Sequence, residues 1–476
     1  MGTDRPRTPL GIDLLIDVGA DGEPRARSIE LALRQGVSSG RLPAGMRLPS
    51  TRSLADDLGI ARGTVVAAYA QLAAEGWLVS ATGSGTRVAE VHRPPTTSTS
   101  PTAGPPALAR GVIDLRPGRP DLSLFPHTLW SASVKRALAT AGADSMDYGD
   151  PAGLRALREA VATYVARARG VHAEPEAVVI TSGFSHALAL VSRALRELGV
   201  SVIATEEPGL AHHRRLVRGA AVETAPLRVG PNGADPAAVP ARAGAVLLTP
   251  SHQHPRGVVL SRESRAAFLH WADAHDGFII EDDYDGEFRY DKQPVGAMQA
   301  LDPGRVIFAG STSKALAPGL RIGWLVLPER LRIPVLDALT VSGATVGAPD
   351  QLALADLLER GDYDRHVRRA RLAYQKRRAE LAGRLSDVTK VPLDGVPAGL
   401  HALLPLASNQ EEKRLVDAGL AAGVHLMGVQ AGGYWQSAER GKPGLIIGYA
   451  TPPQHSWRSA LDVLTRLLHG AAVTPW

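Results

Sequence analysis

Cysteine is absent from this chain of 476 residues. Its absence excludes disulfide bonds, thiolate zinc sites and a cysteine nucleophile. Long apolar runs are lacking too, since none reaches the roughly 18 residues that a membrane-spanning helix needs. The apolar stretch 11–18 is interrupted by Asp13 and Asp17, unlike the core of a signal peptide. We therefore expect a cytoplasmic protein.

Strong net charge is also lacking. The net charge of +5 indicates no particular partner, and only seven of the 53 basic residues are lysines. A lysine inside a motif therefore carries more weight here than in a lysine-rich chain. The remaining composition is ordinary, because 44% hydrophobic and 21% charged residues are typical of folded proteins and exclude disorder of the whole chain.

A proline-rich segment divides the chain. Residues 91–110 contain five prolines and a Ser/Thr run, which is typical of an extended linker. The sequence thus predicts a small unit over 9–90, a flexible linker over 91–111 and a large unit over 112–476. The large unit has the pattern of an α/β domain, because strand-like runs alternate with helical stretches. Those runs are 177–180, 200–204, 244–248, 277–281, 306–309 and 323–327.

The small unit has the pattern of a winged helix-turn-helix. Apolar spacing predicts helices over 28–40 and 62–75, with a short helix between them that Ser50 caps and Gly59 ends. A hairpin with a Gly-rich tip follows over 77–89 and is interpreted as a wing. Periodicity alone leaves a small helical dimerisation module as the alternative.

Arginine placement in this unit favours DNA binding. Arg47, Arg52, Arg62 and Arg87 stand at the turn, at helix starts and on the wing, where phosphates would lie. The string 40–52, GRLPAGMRLPSTR, with RGTV at 62–65 and GSGT at 83–86, resembles the GntR-type winged helix.

That resemblance implies operator DNA binding, with the wing in the minor groove. The DNA-contacting residues that it implies are Arg47, Ser50, Thr51, Arg52, Arg62, Thr64, Ser84 and Gly85. Ala61 is a departure, because the family usually has a serine there to cap the recognition helix.

In the large unit, the motif Ser311-Thr312-Ser313-Lys314 follows the strand-like run 306–309. A lysine at the end of a buried strand, between hydroxyl groups, can form a Schiff base with an aldehyde cofactor. Arg321 and the hydroxyl groups could hold a phosphate. On this motif alone, a lysine in a surface loop is the plainer interpretation.

A run of five acidic residues lies at the end of the strand-like run 277–281, where α/β proteins bind ligands. Asp282 and Tyr284 are two apart, so on a strand they would share one face. An aspartate there can pair with a protonated pyridine nitrogen, and the tyrosine can hydrogen-bond the phenolic oxygen of the ring. A metal-binding acidic cluster and a solvated loop are the alternatives.

Two further turns follow predicted strands. The turn 181–185 precedes a helix and could cradle a phosphate. The turn 249–257 carries His252 and His254, which suggest a metal, yet the sequence places no third ligand of that kind nearby. We therefore expect no metal site.

Taken in order, the four segments resemble the fold-type I pyridoxal 5'-phosphate (PLP) enzymes of the aspartate aminotransferase superfamily. With the GntR-type head, the linker and the string 148–155, YGDPAGLR, nearly the whole chain is similar to the MocR-type regulators. The resemblance implies an α/β PLP-binding large domain with a small C-terminal α+β subdomain, behind an N-terminal winged helix-turn-helix. It also implies a homodimer that binds DNA through two heads.

The resemblance assigns roles to single residues. Lys314 is the implied Schiff-base lysine and catalytic residue, Asp282 the partner of the pyridine nitrogen, and Tyr284 the partner of the ring oxygen. The other implied cofactor-binding residues are Arg321, Ser311, Ser313, Ser182 and Gly183 in the phosphate cup, Phe184, His254, and Tyr148, which would reach the phosphate of the other subunit.

Some positions depart from the family. Leu210 stands where an aromatic residue usually stacks on the cofactor ring. His254 replaces the usual tyrosine or phenylalanine, and Arg256 replaces a small hydroxyl residue. Aminotransferases also hold the substrate carboxylate with a C-terminal arginine, for which only Arg414, on a predicted solvated helix face, and Arg440, in a loop, are available.

Because the sequence offers only these two candidates for binding the substrate carboxylate, a regulator is the first functional hypothesis and an aminotransferase the second. The first is a transcription regulator whose aminotransferase-like domain senses PLP or an amine through Lys314, rather than acting as an enzyme. The second is a functional PLP-dependent aminotransferase with a DNA-binding head. A third is a vitamin sensor for which PLP alone is the signal.

Overall fold

The computed structural model describes residues 25–81, 85–90, 111–290, 295–389, 391–437 and 441–476. The chain divides into two compact units, Met1–Pro106 and Ala107–Trp476. Because the predicted linker lies almost wholly outside the described residues, its boundaries stay predictions. No helix among the described residues is both long and apolar enough to cross a membrane.

In the small unit, three helices precede a two-stranded hairpin. The elements are α1 (Arg25–Ser39), α2 (Thr51–Leu58), α3 (Arg62–Ala74), β1 (Leu78–Ala81) and β2 (Gly85–Val88). The Ser50 hydroxyl accepts a hydrogen bond from the Ser53 N–H at the start of α2, and Gly59 ends that helix at φ +63°. Apolar residues of all three helices form one buried core, which includes Ile29, Leu54, Val65 and Leu72. The predicted helices and hairpin are confirmed.

The large unit alternates strands and helices. Its strands are β3 (Ile113–Asp114), β4 (Val178–Thr181), β5 (Val202–Glu207), β6 (Glu223–Gly230), β7 (Gly233–Ala234), β8 (Ala245–Leu248), β9 (Phe278–Asp282), β10 (Val306–Ser311), β11 (Gly323–Val326), β12 (Ala402–Pro405), β13 (Val424–His425), β14 (Met427–Gly428) and β15 (Gly444–Ile447). Its helices are α4 (His127–Thr140), α5 (Arg155–Arg169), α6 (Phe184–Glu197), α7 (Ala211–Gly219), α8 (Arg262–Ala274), α9 (Glu329–Ser342), α10 (Ala348–Glu359), α11 (Asp362–Ser386), α12 (Asn409–Ala421) and α13 (Gln454–Leu468).

One eight-stranded sheet organises this unit, in the order β4-β11-β10-β9-β8-β5-β6-β7. The run β10-β9-β8-β5-β6 is parallel, and every residue of β8, β9 and β10 is buried, as expected for a sheet covered on both faces. All six predicted strands are present. The sequence missed β6, where Pro226 and alternating exposure weaken the apolar pattern.

A small C-terminal layer completes the unit. The strands β12, β15 and β14 form an antiparallel sheet, while β13 pairs in parallel with β3 from the start of the unit. The long helix α11 and the helices α12 and α13 belong to the same part of the chain. The predicted α+β subdomain is therefore present, and it supplies Leu400, His401 and Tyr434 to the site described next.

Candidate functional site

A cavity of about 320 Å³ lies at the carboxyl ends of β5, β8, β9 and β10. Neighbouring parallel strands end at the same edge of a sheet, so side chains distant in sequence meet there. The cavity wall brings together most of the predicted cofactor-binding residues, namely Lys314, Asp282, Tyr284, Arg321, Ser311, Ser313, Phe184 and His254.

Three predicted cofactor residues do not line the cavity. The Ser182 N–H donates a hydrogen bond to His186 Nδ1 at 3.1 Å. Gly183, at φ +81°, is adjacent to the wall, since a Cβ built on it would lie 3.6 Å from the Arg321 guanidinium. Tyr148 is fully exposed, and its predicted role in the site of a second subunit stays a prediction.

Lys314 lies three residues beyond β10 and projects its ammonium group into the cavity. Its Nζ donates a hydrogen bond to the Gly118 carbonyl at 2.5 Å. Burial lowers the pKa of Lys314, while the carboxylates of Asp282 and Asp285 oppose that shift. A lowered pKa increases the fraction of neutral amine, which is the form that attacks an aldehyde.

Asp282 and Tyr284 face the same cavity from the end of β9. The strand ends at Asp282, so Tyr284 does not share a strand face with it as predicted but lies in the following turn. Burial raises the pKa of the Asp282 carboxyl well above its usual value, and the charge of Lys314 opposes this. The Tyr284 hydroxyl donates to the His252 carbonyl at 2.9 Å, so towards other groups its oxygen acts as an acceptor.

The other acidic residues in and after β9 are buried or half-buried and separately bonded. Asp283 forms a two-point ion pair with Arg169, at 2.6 and 2.8 Å. Glu281 accepts the N–H groups of Met298 and Gln299, and burial raises its pKa to about 7. The alternative of a solvated loop is therefore wrong.

One part of the cavity wall suits an anion. Arg321 lines the wall next to Gly183 at the N-terminus of α6, and Ser311 and Ser313 line the same cavity. Its backbone is in the left-handed region at φ +54°, which is unfavourable for a residue with a side chain. No carboxylate of the described residues pairs with its guanidinium. A guanidinium, hydroxyl groups and a helix N-terminus together are the usual ligands of a phosphate.

Histidines line the remaining wall. Burial lowers the pKa of His213 to about 3 and that of His254 well below its usual value, so both rings are neutral at pH 7. His254 Nε2 lies 3.1 Å from the Tyr434 hydroxyl. Sequence analysis missed several polar wall residues, which are Glu206, His212, His213, Thr249, His401 and Tyr434. Among these residues, the adjacent His212 and His213, shortly after the end of β5, form the local sequence pattern from which a wall position could have been predicted.

Three side chains of metal-binding types meet beside the cavity. Ligand atoms of His252, Asp285 and His401 lie within 4.8 Å of one another, so the structure supplies the third ligand that the sequence did not. His252 Nδ1 is already 2.8 Å from an Asp285 carboxylate oxygen and 3.1 Å from the Tyr284 hydroxyl. These bonds join His252 to Asp285 and Tyr284 directly, and His401 takes no part in them.

Of the positions that depart from the family, Leu210 lines the cavity and Arg256 does not. Leu210 stands at the position where the family usually has an aromatic residue. Two rings that line the same cavity, Phe184 and His213, pack against each other with their centroids 5.0 Å apart. Arg256 is buried away from the wall in an ion pair with Asp394, at 2.8 Å.

Neither candidate for the carboxylate clamp is confirmed. Arg414 is exposed and pairs with Glu411 on the same helix, at 2.7 Å, as expected for a solvated face. Arg440 lies outside the described residues.

The predicted DNA-contacting residues lie on the surface of the small unit. Arg47, Ser50, Arg52, Arg62 and Gly85 are exposed, and Thr51 and Thr64 are half-buried. Arg47 is beside the wing, because a Cβ built on Gly85 would lie 3.1 Å from Arg47 Nε. Within the described residues, neither Arg52 nor Arg62 has a hydrogen-bonding or ionic partner. Ser84 lies outside the described residues.

Residues 25–88 match the bacterial regulatory proteins of the gntR family, and residues 110–433 match the class I and II aminotransferases. The probable rhizopine catabolism regulatory protein MocR of Rhizobium meliloti is 32% identical over 474 residues, which are 95% of each chain. The chain belongs to the MocR-type transcriptional regulators of the GntR family. Another relative, the HTH-type pyridoxine biosynthesis transcriptional regulator PdxR of Corynebacterium glutamicum, is 33% identical over 90% of this chain and 92% of that protein.

Solved structures show the fold of the large unit of this MocR-type chain. An archaeal alanine:glyoxylate aminotransferase superposes with a TM-score of 0.69 at 24% identity, covering 75% of this chain and 90% of the enzyme. A kynurenine aminotransferase of Pyrococcus horikoshii gives 0.67 at 20% identity, over 75% and 91%. The large unit therefore has the fold-type I aminotransferase architecture, and the small unit is a GntR-type winged helix.

Proposed function

We propose that this regulator binds PLP in the cavity of its large unit, attached at Lys314, and that PLP or an amine reacting with it changes operator binding. The observation that carries the proposal is the placement of Lys314. It is a lysine of lowered pKa in one cavity with a buried carboxyl, Asp282, and with the guanidinium of Arg321, which pairs with no carboxylate of the described residues. When bound, PLP supplies an aldehyde that condenses with amines.

The wall residues suit PLP at both ends. The Asp282 carboxyl is buried with a raised pKa, so a protonated ring nitrogen would stabilise its ionised form. The Tyr284 oxygen can accept a hydrogen bond from the ring side, because its own proton is donated to the His252 carbonyl. Arg321, Ser311 and Ser313 would hold the phosphate.

DNA binding by the small unit supplies the output. Arg52 and Arg62 at the starts of α2 and α3 would contact operator phosphates or bases, and the wing with Arg47 and Gly85 would enter the minor groove. We infer a cytoplasmic homodimer with two heads. A ligand changes operator affinity only if it binds one arrangement of that dimer more tightly than another.

The test begins with the visible absorbance of the full chain mixed with PLP. We expect a band that persists on gel filtration, and borohydride reduction should fix the cofactor to the peptide that contains Lys314. Lys314→Ala should abolish both results. Lys413→Ala, at an exposed lysine paired with Asp417, should change neither. A stable adduct in Lys314→Ala would contradict the assignment.

Operator binding is then measured with and without PLP, and with a panel of amines. An amine that alters both the absorbance band and DNA affinity is the effector. A band that no amine alters identifies PLP itself as the signal. Steady production of a keto acid would favour the aminotransferase hypothesis instead.

A further inference from the structure

A segment of the C-terminal subdomain, 433–437, is bound at both ends by residues of the large sheet region. Glu207, the last residue of β5, accepts the N–H groups of Gln436 at 2.5 Å and of Ser437 at 2.7 Å. The Ser437 hydroxyl donates to the same carboxylate at 2.5 Å. Hydrogen bonds to an ionised acceptor are stronger than neutral ones, so Glu207 holds the end of this segment firmly.

Arg214, on α7, binds the beginning of the same segment. Its guanidinium donates to the carbonyl groups of Gly433 at 2.5 Å and of Tyr434 at 3.2 Å, and to that of Gly209 at 2.7 Å. The Gly209 N–H in turn donates to the Tyr434 carbonyl at 3.0 Å. Arg214 is 5% exposed and forms no ion pair within the described part of the chain, so backbone carbonyl groups supply its hydrogen bonds.

The residue between these two attachments belongs to the cavity wall. Tyr434 lines the cavity, is 4% exposed, and its hydroxyl lies 3.1 Å from His254 Nε2. It also belongs to one buried apolar cluster with Leu403 of β12 and Ile446 of β15. Tyr434 is therefore a wall residue carried by the C-terminal subdomain, and its place in the wall depends on how the segment 433–437 is held.

We propose that Glu207 and Arg214 are positioning residues for the cavity. By binding the backbone of 433–437 on either side of Tyr434, they hold the Tyr434 hydroxyl on His254 in the wall, and this slows the release of bound PLP. The inference rests on the proposed function. Glu207 does not line the cavity, so its effect on PLP reaches the cavity through the segment.

The test measures PLP release from the loaded full chain, followed by the loss of the absorbance band after dilution. Glu207→Ala removes the acceptor of three donors and should release PLP about tenfold faster, the effect of losing one hydrogen bond of the wall. Glu207→Gln keeps an amide oxygen as acceptor and should have a smaller effect. The position of the band should not change, because Lys314 and Asp282 are untouched.

A double-mutant cycle shows whether Tyr434 carries the effect. Tyr434→Phe removes only the hydroxyl that contacts His254, and it should itself speed up PLP release. If Glu207 acts by holding that hydroxyl, Glu207→Ala should add little to the effect of Tyr434→Phe.

Arg377 supplies the matched control for a general loss of stability. Like Arg214 it is buried and donates to three backbone carbonyl groups, besides an ion pair with Asp121, but it does not line the cavity. Arg377→Lys should lower the urea midpoint without changing PLP release. Arg214→Lys should change both.

The outcomes are distinguishable. Failure of the wild-type chain to form a PLP band overturns the proposed function, and the role of Glu207 and Arg214 with it. A band that is released equally fast from the wild type and from Glu207→Ala overturns only that role, as do additive effects of Glu207→Ala and Tyr434→Phe. So does Arg377→Lys if it speeds up release as much as Arg214→Lys. If Glu207→Ala does not fold, Glu207→Gln makes the same comparisons.

Discussion

The two recognition surfaces of this regulator are built in opposite ways. The predicted DNA-contacting residues come from one short stretch, 47–85, and are mainly exposed, with Arg52 and Arg62 unpaired among the described residues. The cavity collects side chains from positions as distant as Pro117 and Tyr434, half of them buried and most of the others half-buried. Exposed cations contribute separately and are screened by salt, whereas a buried network loses several bonds when one member is removed.

The largest expected effect concerns a buried ion pair in the large unit, between Arg169 and Asp283. Arg169→Met leaves the Asp283 carboxylate buried without its ion pair, and also removes the hydrogen bond to Ser251. We expect a loss of about 3–5 kcal/mol in the free energy of unfolding of the large unit, measured by urea denaturation. The matched control is Arg414→Met, at an exposed ion pair, which should lose less than about 1 kcal/mol. Equal losses would show that burial does not distinguish the two pairs.

On the exposed side, Arg52→Ala combined with Arg62→Ala should weaken binding to a random-sequence DNA duplex. If each arginine neutralises one phosphate, the slope of log affinity against log salt should fall in magnitude by about two. Cofactor absorbance should not change, because both residues belong to the small unit. An unchanged salt slope would remove these residues from the DNA interface.

A smaller effect is expected from the neutral histidines. The pKa of His213 is about 3 in the folded chain, so only the unfolded chain takes up this proton between pH 6.5 and 3. The contribution to stability is complete above pH 6.5 and is lost as the pH falls. At pH 5.5 one such histidine lowers stability by at most about 1.4 kcal/mol relative to pH 7.5. His213→Gln should be less sensitive to this change of pH than the wild type, while His455→Gln, at an exposed position, should behave like the wild type.

The smallest expected effect restores a missing helix cap. Ala61 precedes α3 and makes no side-chain hydrogen bond there. Ala61→Ser should stabilise the small unit by about 0.5–1 kcal/mol, measured by thermal unfolding. Ser50→Ala, which removes the cap of α2, should have the opposite sign and a similar size. If either variant changes the urea midpoint of the large unit, the two units do not unfold independently.

Sequence reasoning found the parts of the site that are local in the chain. Lys314 lies three residues after β10, Arg321 lies two residues before β11, and Asp282 ends β9, so a strand with polar residues beside it was enough to place them. The same is true of the helix-turn-helix, whose caps and turn lie within a few dozen residues. The placement of Tyr284 assumed a strand that continues past Asp282, and although β9 ends there, Tyr284 still lies in the wall.

The histidines of the cavity wall could not be predicted in this way. His401 and Tyr434 are joined to the cavity by the C-terminal subdomain, and no periodicity or spacing relates them to His254. The third ligand beside His252 was missed for the same reason. Strand β6 was missed because Pro226 and its exposed residues obscure the apolar pattern that identified the buried strands.

The hydrogen bond between Lys314 and Gly118 has a chemical consequence for the segment at the start of the large unit. Gly118 stands only a few residues after the predicted linker, 91–111, and its carbonyl accepts from the Lys314 ammonium. If PLP binds as proposed, condensation of that amine with its aldehyde would pass two of the three ammonium protons to the departing water, so that one N–H at most would remain to bond the carbonyl. The segment that follows the predicted linker in the sequence is thus held by an atom that this covalent step would alter.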